Sequence, residues 1–220
     1  MQYGEVETDK YILFYGGIFS QWYKSDFTIG DITYSSAEQY MMANKADVFN
    51  DSDSLKEIMA TDDPRRQKAI GRKVKGFEPE KWNEVAKRVV LAANVNKFTA
   101  SQELKKAILS TGNKIIVEAS PYDKIWGIGL APDDPKALDE STWEGTNWLG
   151  EAVMEARKII RSLESVGEFP GDTCNRDGCG GTLDDLREGG CSCHISPPCS
   201  YCCETDVRCN ECDWEHQYQA

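Results

Sequence analysis

The stretch from residue 34 to 49, YSSAEQYMMANKADVF, repeats Glu38, Met41, Met42, Lys45 and Phe49 at helical spacing. At roughly 100° per residue these five side chains fall within about 60° of one direction, the direction that ordinarily faces the interior. A charge on such a stripe usually sits at a domain edge with its tip in water, a lysine with particular ease because its stem tolerates burial. Two opposite charges flanking methionines also fit a helix that lines a cleft. Seven residues span about 10.5 Å of helix axis. Glu38 and Lys45 would then clamp a bound molecule between them rather than bond each other.

The remaining chemistry-bearing residues are segregated. All nine cysteines and both histidines lie between Cys174 and His216. Acid, base and nucleophile in the first 173 residues must therefore come from Asp, Glu, Lys, Tyr or Ser. In the tail, Cys199, Cys202, Cys209 and Cys212 form C-x2-C-x6-C-x2-C, two knuckles suited to one tetrahedral ion. Cys174 and Cys179 can join Cys191 and Cys193 in a second set of four, leaving Cys203 over and His194 and His216 as substitutes. The expectation is two structural Zn2+ ions that fold the tail, with no catalytic cofactor. Disulfides would need an oxidising compartment, and the opening MQYGEVETDKY lacks the basic start and apolar run of a signal peptide. A soluble, cytoplasmic setting with no membrane association is expected.

Residues 11–34 read as short strands and turns. A helix follows from Ser35 or Ser36, with Ser35 and Glu38 at capping-box spacing. Asp63-Pro64 and Glu78-Pro79 mark further helix starts, the second long enough to carry Trp82, Val85, Val89 and Ala93 to Asn96 or Lys97. Ser101 caps a helix ending at Gly112, KIIVEAS (114–120) reads as a strand, and Leu149, Val153, Ala156 and Ile160 trace a final helical stripe. The sum is an α+β domain, mainly helical with a small sheet, over residues 1–161. A linker is expected at 162–172 and a zinc-stapled segment at 173–220, too poor in apolar residues to fold unaided.

The net charge of −12 argues against coating duplex DNA by bulk electrostatics. Residues from 161 onward carry net −8 and the first 160 net −4. Against that background PRRQKAIGRKVK (64–75) gathers six cations, either a solvated helix face or a contact for phosphate or nucleic acid.

The runs FYGG..SQW (14–22), AEQYMMANKADVFND (37–51), VEASPYDKIWGIG (117–129) and WEGTNWLGEAVMEAR (143–157) together resemble the NADAR, or YbiA-like, family. The four blocks stand in family order across residues 10–161, and the cysteine tail lies outside them. The resemblance implies a compact, largely helical α+β fold and N-glycosidase activity. Some members remove ADP-ribose from guanine bases of nucleic acid; others cleave riboflavin-pathway ribosylaminopyrimidine phosphates. Where the family often has His after the glutamate, this chain has Gln39.

Breaking a ribose C1–N bond builds positive charge on the sugar and negative charge on the departing base, so carboxylates near C1 and a proton donor are needed. Glu38, Lys45, Glu118 and Asp123 are the catalytic candidates. Lys45 can attack C1 as a neutral amine and form a Schiff base, or act as an electrostatic clamp. Gly17, Ser20, Gln21, Trp22, Trp126, Gly127 and Asn147 are candidates for binding substrate. Five of these have a plainer reading: Glu118 as a cap, Asp123 as an Asx-turn former, the two tryptophans as core, and Asn147 as the cap of the last helix. The leading expectation is removal of ADP-ribose from a nucleobase, with nucleic acid as substrate and a protein partner for the tail. Cleavage of a small ribosyl N-glycoside and non-catalytic ADP-ribose sensing are the alternatives.

Overall fold

Tyr11, Ile12, Leu13 and Phe14 are all buried, as befits a strand covered on both faces. The computed structural model describes residues 5–164, 171–174, 179–186, 206–212 and 215–217. In it Tyr11–Phe14 (β2) is the centre of a three-stranded sheet, antiparallel to Val6–Glu7 (β1) and parallel to Ile115–Glu118 (β5). Strand alternation splits its side chains between two cores. Ile12 and Phe14 join the main one, while Tyr11 and Leu13 pack with Val117, Ala119, Ile128 and Leu130. A hairpin of Phe27–Ile29 (β3) and Ile32–Tyr34 (β4) leads into the first helix.

The helices are Ala37–Val48 (α1), Ser52–Met59 (α2), Pro64–Gly71 (α3), Pro79–Thr99 (α4), Gln102–Ser110 (α5) and Trp148–Glu164 (α6). Helix α4 runs through the main core with Trp82, Ala86, Val89, Val90 and Ala93 buried, and α6 lays Leu149, Val153, Ala156 and Ile160 against that core. Asp63, with a proline after it, and Ser101 cap their helices through side-chain oxygens that accept backbone amides. Among the described residues no helix is long and apolar enough to cross a membrane.

Three boundaries depart from the sequence reading. The N-cap of α1 is Ser36, whose hydroxyl accepts from the Gln39 amide at 3.0 Å, so the capping pair sits one residue later than Ser35 and Glu38. That shift releases the Glu38 carboxylate from capping. Helix α2, too short to show a long stripe, was not anticipated; Asp51 caps it and also accepts the Lys75 amide at 2.9 Å, which ties it to the segment after α3. Helix α6 continues to Glu164, with Leu163 buried, into the stretch expected to be linker.

In the tail, Leu183–Asp185 (β6), Asp206–Cys209 (β7) and Glu215–Gln217 (β8) form an antiparallel sheet that pairs Leu183 with Cys209. Its small core is Cys174, Leu183, Val207 and Cys209. The tail touches the larger domain where Lys105 of α5 meets Asp172, Nζ to Oδ2 at 3.5 Å, both side chains largely covered.

Candidate active site and cysteine cluster

Glu38 stands in the first turn of α1, buried at 4% exposure, with Met41 and Met42 buried beyond it and Lys45 half-buried one turn further. The Glu38 backbone amide donates to the Gln21 carbonyl at 2.9 Å, which fastens the loop of residues 17–22 over the start of α1. The Trp22 indole lies beside the Glu38 carboxyl and favours its charged form. The carboxylate oxygen Oε1 is buried without a protein partner. Burial pushes the Glu38 carboxyl up to about 7, with Lys68 and the Trp22 indole opposing and Asp123 assisting.

Glu118 ends β5. Its amide is held by the Asn147 side-chain oxygen at 3.0 Å, and its carbonyl accepts the amides of Ser120 and Ile128. Its carboxyl oxygen Oε2 is also buried and unpartnered. Burial, then the charge of Asp123, pushes this group up to about 8. The two glutamates and Asp123 act on one another electrostatically, so carboxyl groups from two distant parts of the chain come close together. Lys45 feels the charge of Glu38; burial lowers its pKa, and its Nζ sits 3.9 Å from the centre of the Phe77 ring.

Asp123 uses Oδ1 to accept the amides of Ile125 and Trp126, at 3.0 and 2.8 Å. It is an Asx-turn former and a neighbour of the two glutamates at once. Gly127 must be glycine for packing, since a Cβ there would come within 2.8 Å of the Glu118 carbonyl oxygen and 2.9 Å of that of Asp123. Trp22 is 38% exposed, whereas Trp126 packs edge-on to Trp148 with ring centres 5.7 Å apart. Asn147, buried at φ 53, donates to the Ile116 carbonyl as well as accepting from Glu118. It stands at the N-cap position of α6, its carbonyl accepting the Glu151 amide at 2.9 Å, while its side-chain amide staples β5 to the start of that helix. Gly17 is exposed on the 17–22 loop, and its carbonyl accepts the Ser20 amide. The Ser20 hydroxyl accepts the Trp22 amide at 3.1 Å.

Three residues here have partners that the sequence reading does not assign. Gln39 points away from the two glutamates: its Nε2 donates to the carbonyls of Ile58 and Thr61 and its Oε1 accepts from Ser35, joining α1 to the α2–α3 turn. Lys97 is fully buried, with Nζ donating to the Ser20 carbonyl at 2.9 Å; burial brings its pKa down to about 7. It lies four residues beyond Ala93 on the stripe of α4, so the periodicity that flagged Lys45 extends to it. Asn94, also buried, donates to Gln21 Oε1 at 3.0 Å. Together Lys97 and Asn94 hold the loop that presents Trp22.

The cysteines are distributed otherwise than the two sequence-adjacent sets. Cys174 and Cys179 meet Cys209 and Cys212, with all four sulfurs within 4.8 Å of one another. The pairing of β6 with β7 causes this, because it brings Leu183 opposite Cys209 and so carries the chain that holds Cys174 and Cys179 beside Cys209 and Cys212. Two sulfur pairs lie 3.7 and 3.6 Å apart, far beyond a disulfide bond. A tetrahedron with metal–sulfur bonds of about 2.3 Å has edges of about 3.8 Å, so the four thiols suit a zinc-sized ion. The Gly181 amide donates to Cys179 Sγ and the Glu211 amide to Cys209 Sγ; such donors, the Cys212 amide foremost, hold the Cys209 thiol down to about 7. Cys191, Cys193, Cys199 and Cys202 lie outside the described residues.

The larger domain has known counterparts. The chain is 42% identical over 166 residues to the N-glycosidase R617 of Acanthamoeba polyphaga mimivirus, which covers 70% of this chain and 98% of that protein. It is 33% identical over 174 residues to protein irg-1 of Caenorhabditis elegans, covering 71% of this chain and 82% of the relative. The solved structure of the Escherichia coli protein YbiA superposes with a TM-score of 0.60 at 26% identity, covering 77% of this chain and 94% of YbiA. The NADAR domain pattern matches residues 13–161, which contain Glu38, Lys45, Glu118 and Asp123 but none of the cysteines. On sequence pattern, relatives and fold alike, this chain belongs to the NADAR family.

Proposed function

We propose that the chain is an N-glycosidase that hydrolyses the bond between ribose C1 and a base nitrogen, and that its substrate is ADP-ribose attached to guanine in DNA or RNA. The observation that carries this reading is the pair of buried carboxyl groups, Glu38 and Glu118, each with an unpartnered oxygen, gathered with Asp123 and close to an amine of lowered pKa. A carboxyl near 7 is an effective proton donor at neutral pH, and a carboxylate beside C1 stabilises the developing cation. The name of the mimivirus relative agrees with the reaction class. The choice of substrate rests on the family resemblance and on the zinc-type tail, since a small metabolite needs no added recognition module.

In this mechanism the neutral Lys45 amine attacks C1. The C1–N bond breaks, its electron pair passes to the base nitrogen, and that nitrogen takes the Glu38 proton. The substituted amine returns a proton to Glu38, the ring C1–O bond opens with protonation of that oxygen, and a Schiff base joins Lys45 to C1. Water then adds to C1 and the amine departs, releasing free sugar and restoring the enzyme. Asp123 stands beside the proton path. Zinc bound by Cys174, Cys179, Cys209 and Cys212 would supply folding of the tail and no step of this chemistry.

The test is incubation of the full chain with guanine-ADP-ribosylated DNA or RNA and, separately, with a ribosylaminopyrimidine phosphate, with mass spectrometry of the released sugar. ADP-ribose from the nucleic acid alone is expected. Release only from the pyrimidine would transfer the same site to a small metabolite, and release from neither would make the protein an ADP-ribose sensor. Borohydride added during turnover is expected to trap an adduct on the parent chain and none on Lys45→Ala. An active enzyme that leaves no adduct would reduce Lys45 to an electrostatic clamp, with water attacking directly.

A further inference from the structure

Phe77 stands outside the core at 41% exposure, yet the chain around it is fixed. It lies in the turn between α3 and α4. Just before it Val74 is buried in the main core, and the Lys75 amide donates to the Asp51 carboxylate. The Asp51 amide in turn donates to the Ala46 carbonyl at 2.9 Å, which ties this turn to the end of α1, beside Lys45. Gly76 follows at φ 68, a left-handed backbone that a larger residue would adopt only under strain. That bend brings the Phe77 ring onto α1, where it meets Phe49 edge-on with ring centres 5.4 Å apart.

The same ring also meets the Lys45 amine. Nζ lies 3.9 Å from the ring centre, the closest cation–ring contact among the described residues. Among the described residues Lys45 has no ion pair. Glu38, on the same helix, acts on it by charge from beyond ion-pair distance and favours the ammonium; burial and Arg72, at the end of α3, oppose it. From α4 comes one more cation, Lys81, which takes the neighbouring Phe49 ring, Nζ 5.3 Å from its centre. Lys45 also stands in the last turn of α1, where the carbonyl ends favour a cation. The Phe77 face is therefore what the ammonium itself rests on. A ring face attracts a cation through its quadrupole and gives a neutral amine no such hold.

We propose that Phe77 is a positioning residue for Lys45, whose ring holds the resting ammonium and frees the side chain once its proton has passed to solvent. The nucleophile then becomes mobile in the form that can attack. This rests on the reading of Lys45 as the nucleophile, and it adds a residue that acts through Lys45 without touching the substrate.

Lysine labelling needs no substrate, so it separates this proposal from the reaction. The full chain is treated with trace acetic anhydride from pH 6 to 11 against an internal amine standard, and each lysine is followed by mass spectrometry. Parent, Phe77→Leu and Phe77→Trp are compared; leucine keeps an apolar cover and removes the ring face, while tryptophan restores one. The rate at Lys45 at pH 7, taken relative to its own plateau at high pH, is expected to rise about two- to fivefold in Phe77→Leu. No rise is expected in Phe77→Trp, and none at the distant Lys24 in either variant. A Lys45 ratio that stays or falls in Phe77→Leu overturns the proposal, as does an equal rise in Phe77→Trp or at Lys24. The expected pattern in a chain that leaves no borohydride adduct during turnover retains the contact and removes Lys45 as nucleophile.

Discussion

In the proposed site, Glu38 and Glu118 would serve the reaction at the expense of the fold. A carboxyl whose folded pKa is raised contributes stability that is fully present below its unfolded pKa of 4.5 and is lost as pH rises through about 7 and about 8. For Glu38, a shift from 4.5 to about 7 corresponds to a penalty on the order of 3 kcal/mol once the group is ionised. Glu38→Gln is therefore expected to be more stable than the parent at pH 8, by about 1–3 kcal/mol in urea denaturation, and equal to it at pH 4. The same substitution is expected to lower turnover about 100-fold or more. A variant that loses activity and stability together would make Glu38 a structural group. Much of this was legible, because Glu38 and Lys45 lie on a stripe whose burial the sequence announces. How the start of α1 is covered depends on the Trp22 loop, whose anchors Lys97 and Asn94 are about 75 residues away in sequence.

Among the elements, α1 and α3 decide the width of the cleft, and Gly71 sets their separation. Gly71→Ala forces the buried Met42 side chain aside and is expected to cost about 1–3 kcal/mol in stability. Helix starts at Pro64 and Pro79 and the stripe of α6 could be read directly, since prolines, capping oxygens and periodicity are local signals. The pairings between elements could not. That Gln39 grips the α2–α3 turn, that Asn147 fastens β5 to α6, and that Cys174 and Cys179 join Cys209 and Cys212 all follow from partners far along the chain. Asn147→Ala is expected to destabilise by about 2–4 kcal/mol, because the Ile116 carbonyl and the Glu118 amide would both lose their partner.

The molecule as a whole should show an unusual response to pH. Lys97 titrates near 7 when folded and near 10.5 when unfolded, so between those values the unfolded chain binds more protons and stability rises with pH. Glu38 and Glu118 make stability fall between 4.5 and about 8. These three groups together place a shallow minimum near pH 7 to 8. Lys97→Met is expected to flatten the limb above pH 7, as measured by denaturation at pH 7, 8.5 and 10. For the tail, elemental analysis is expected to find zinc that Cys209→Ser loses. Unfolding of the larger domain should be unchanged by that loss, since the cluster lies outside the residues that build its core.

The sheet carries one more consequence. Tyr11 is paired with Ile115, and between them lie the hairpin and five of the helices. Closing a loop of about 100 residues costs about 4 kcal/mol in chain entropy beyond the length-independent part. On a ribosome the segment holding Glu38 and Lys45 emerges long before the strand holding Glu118. The helices can gather early, but the acid pair is assembled only when β5 docks beside β2. Competence for catalysis is thus one of the last things the nascent domain acquires.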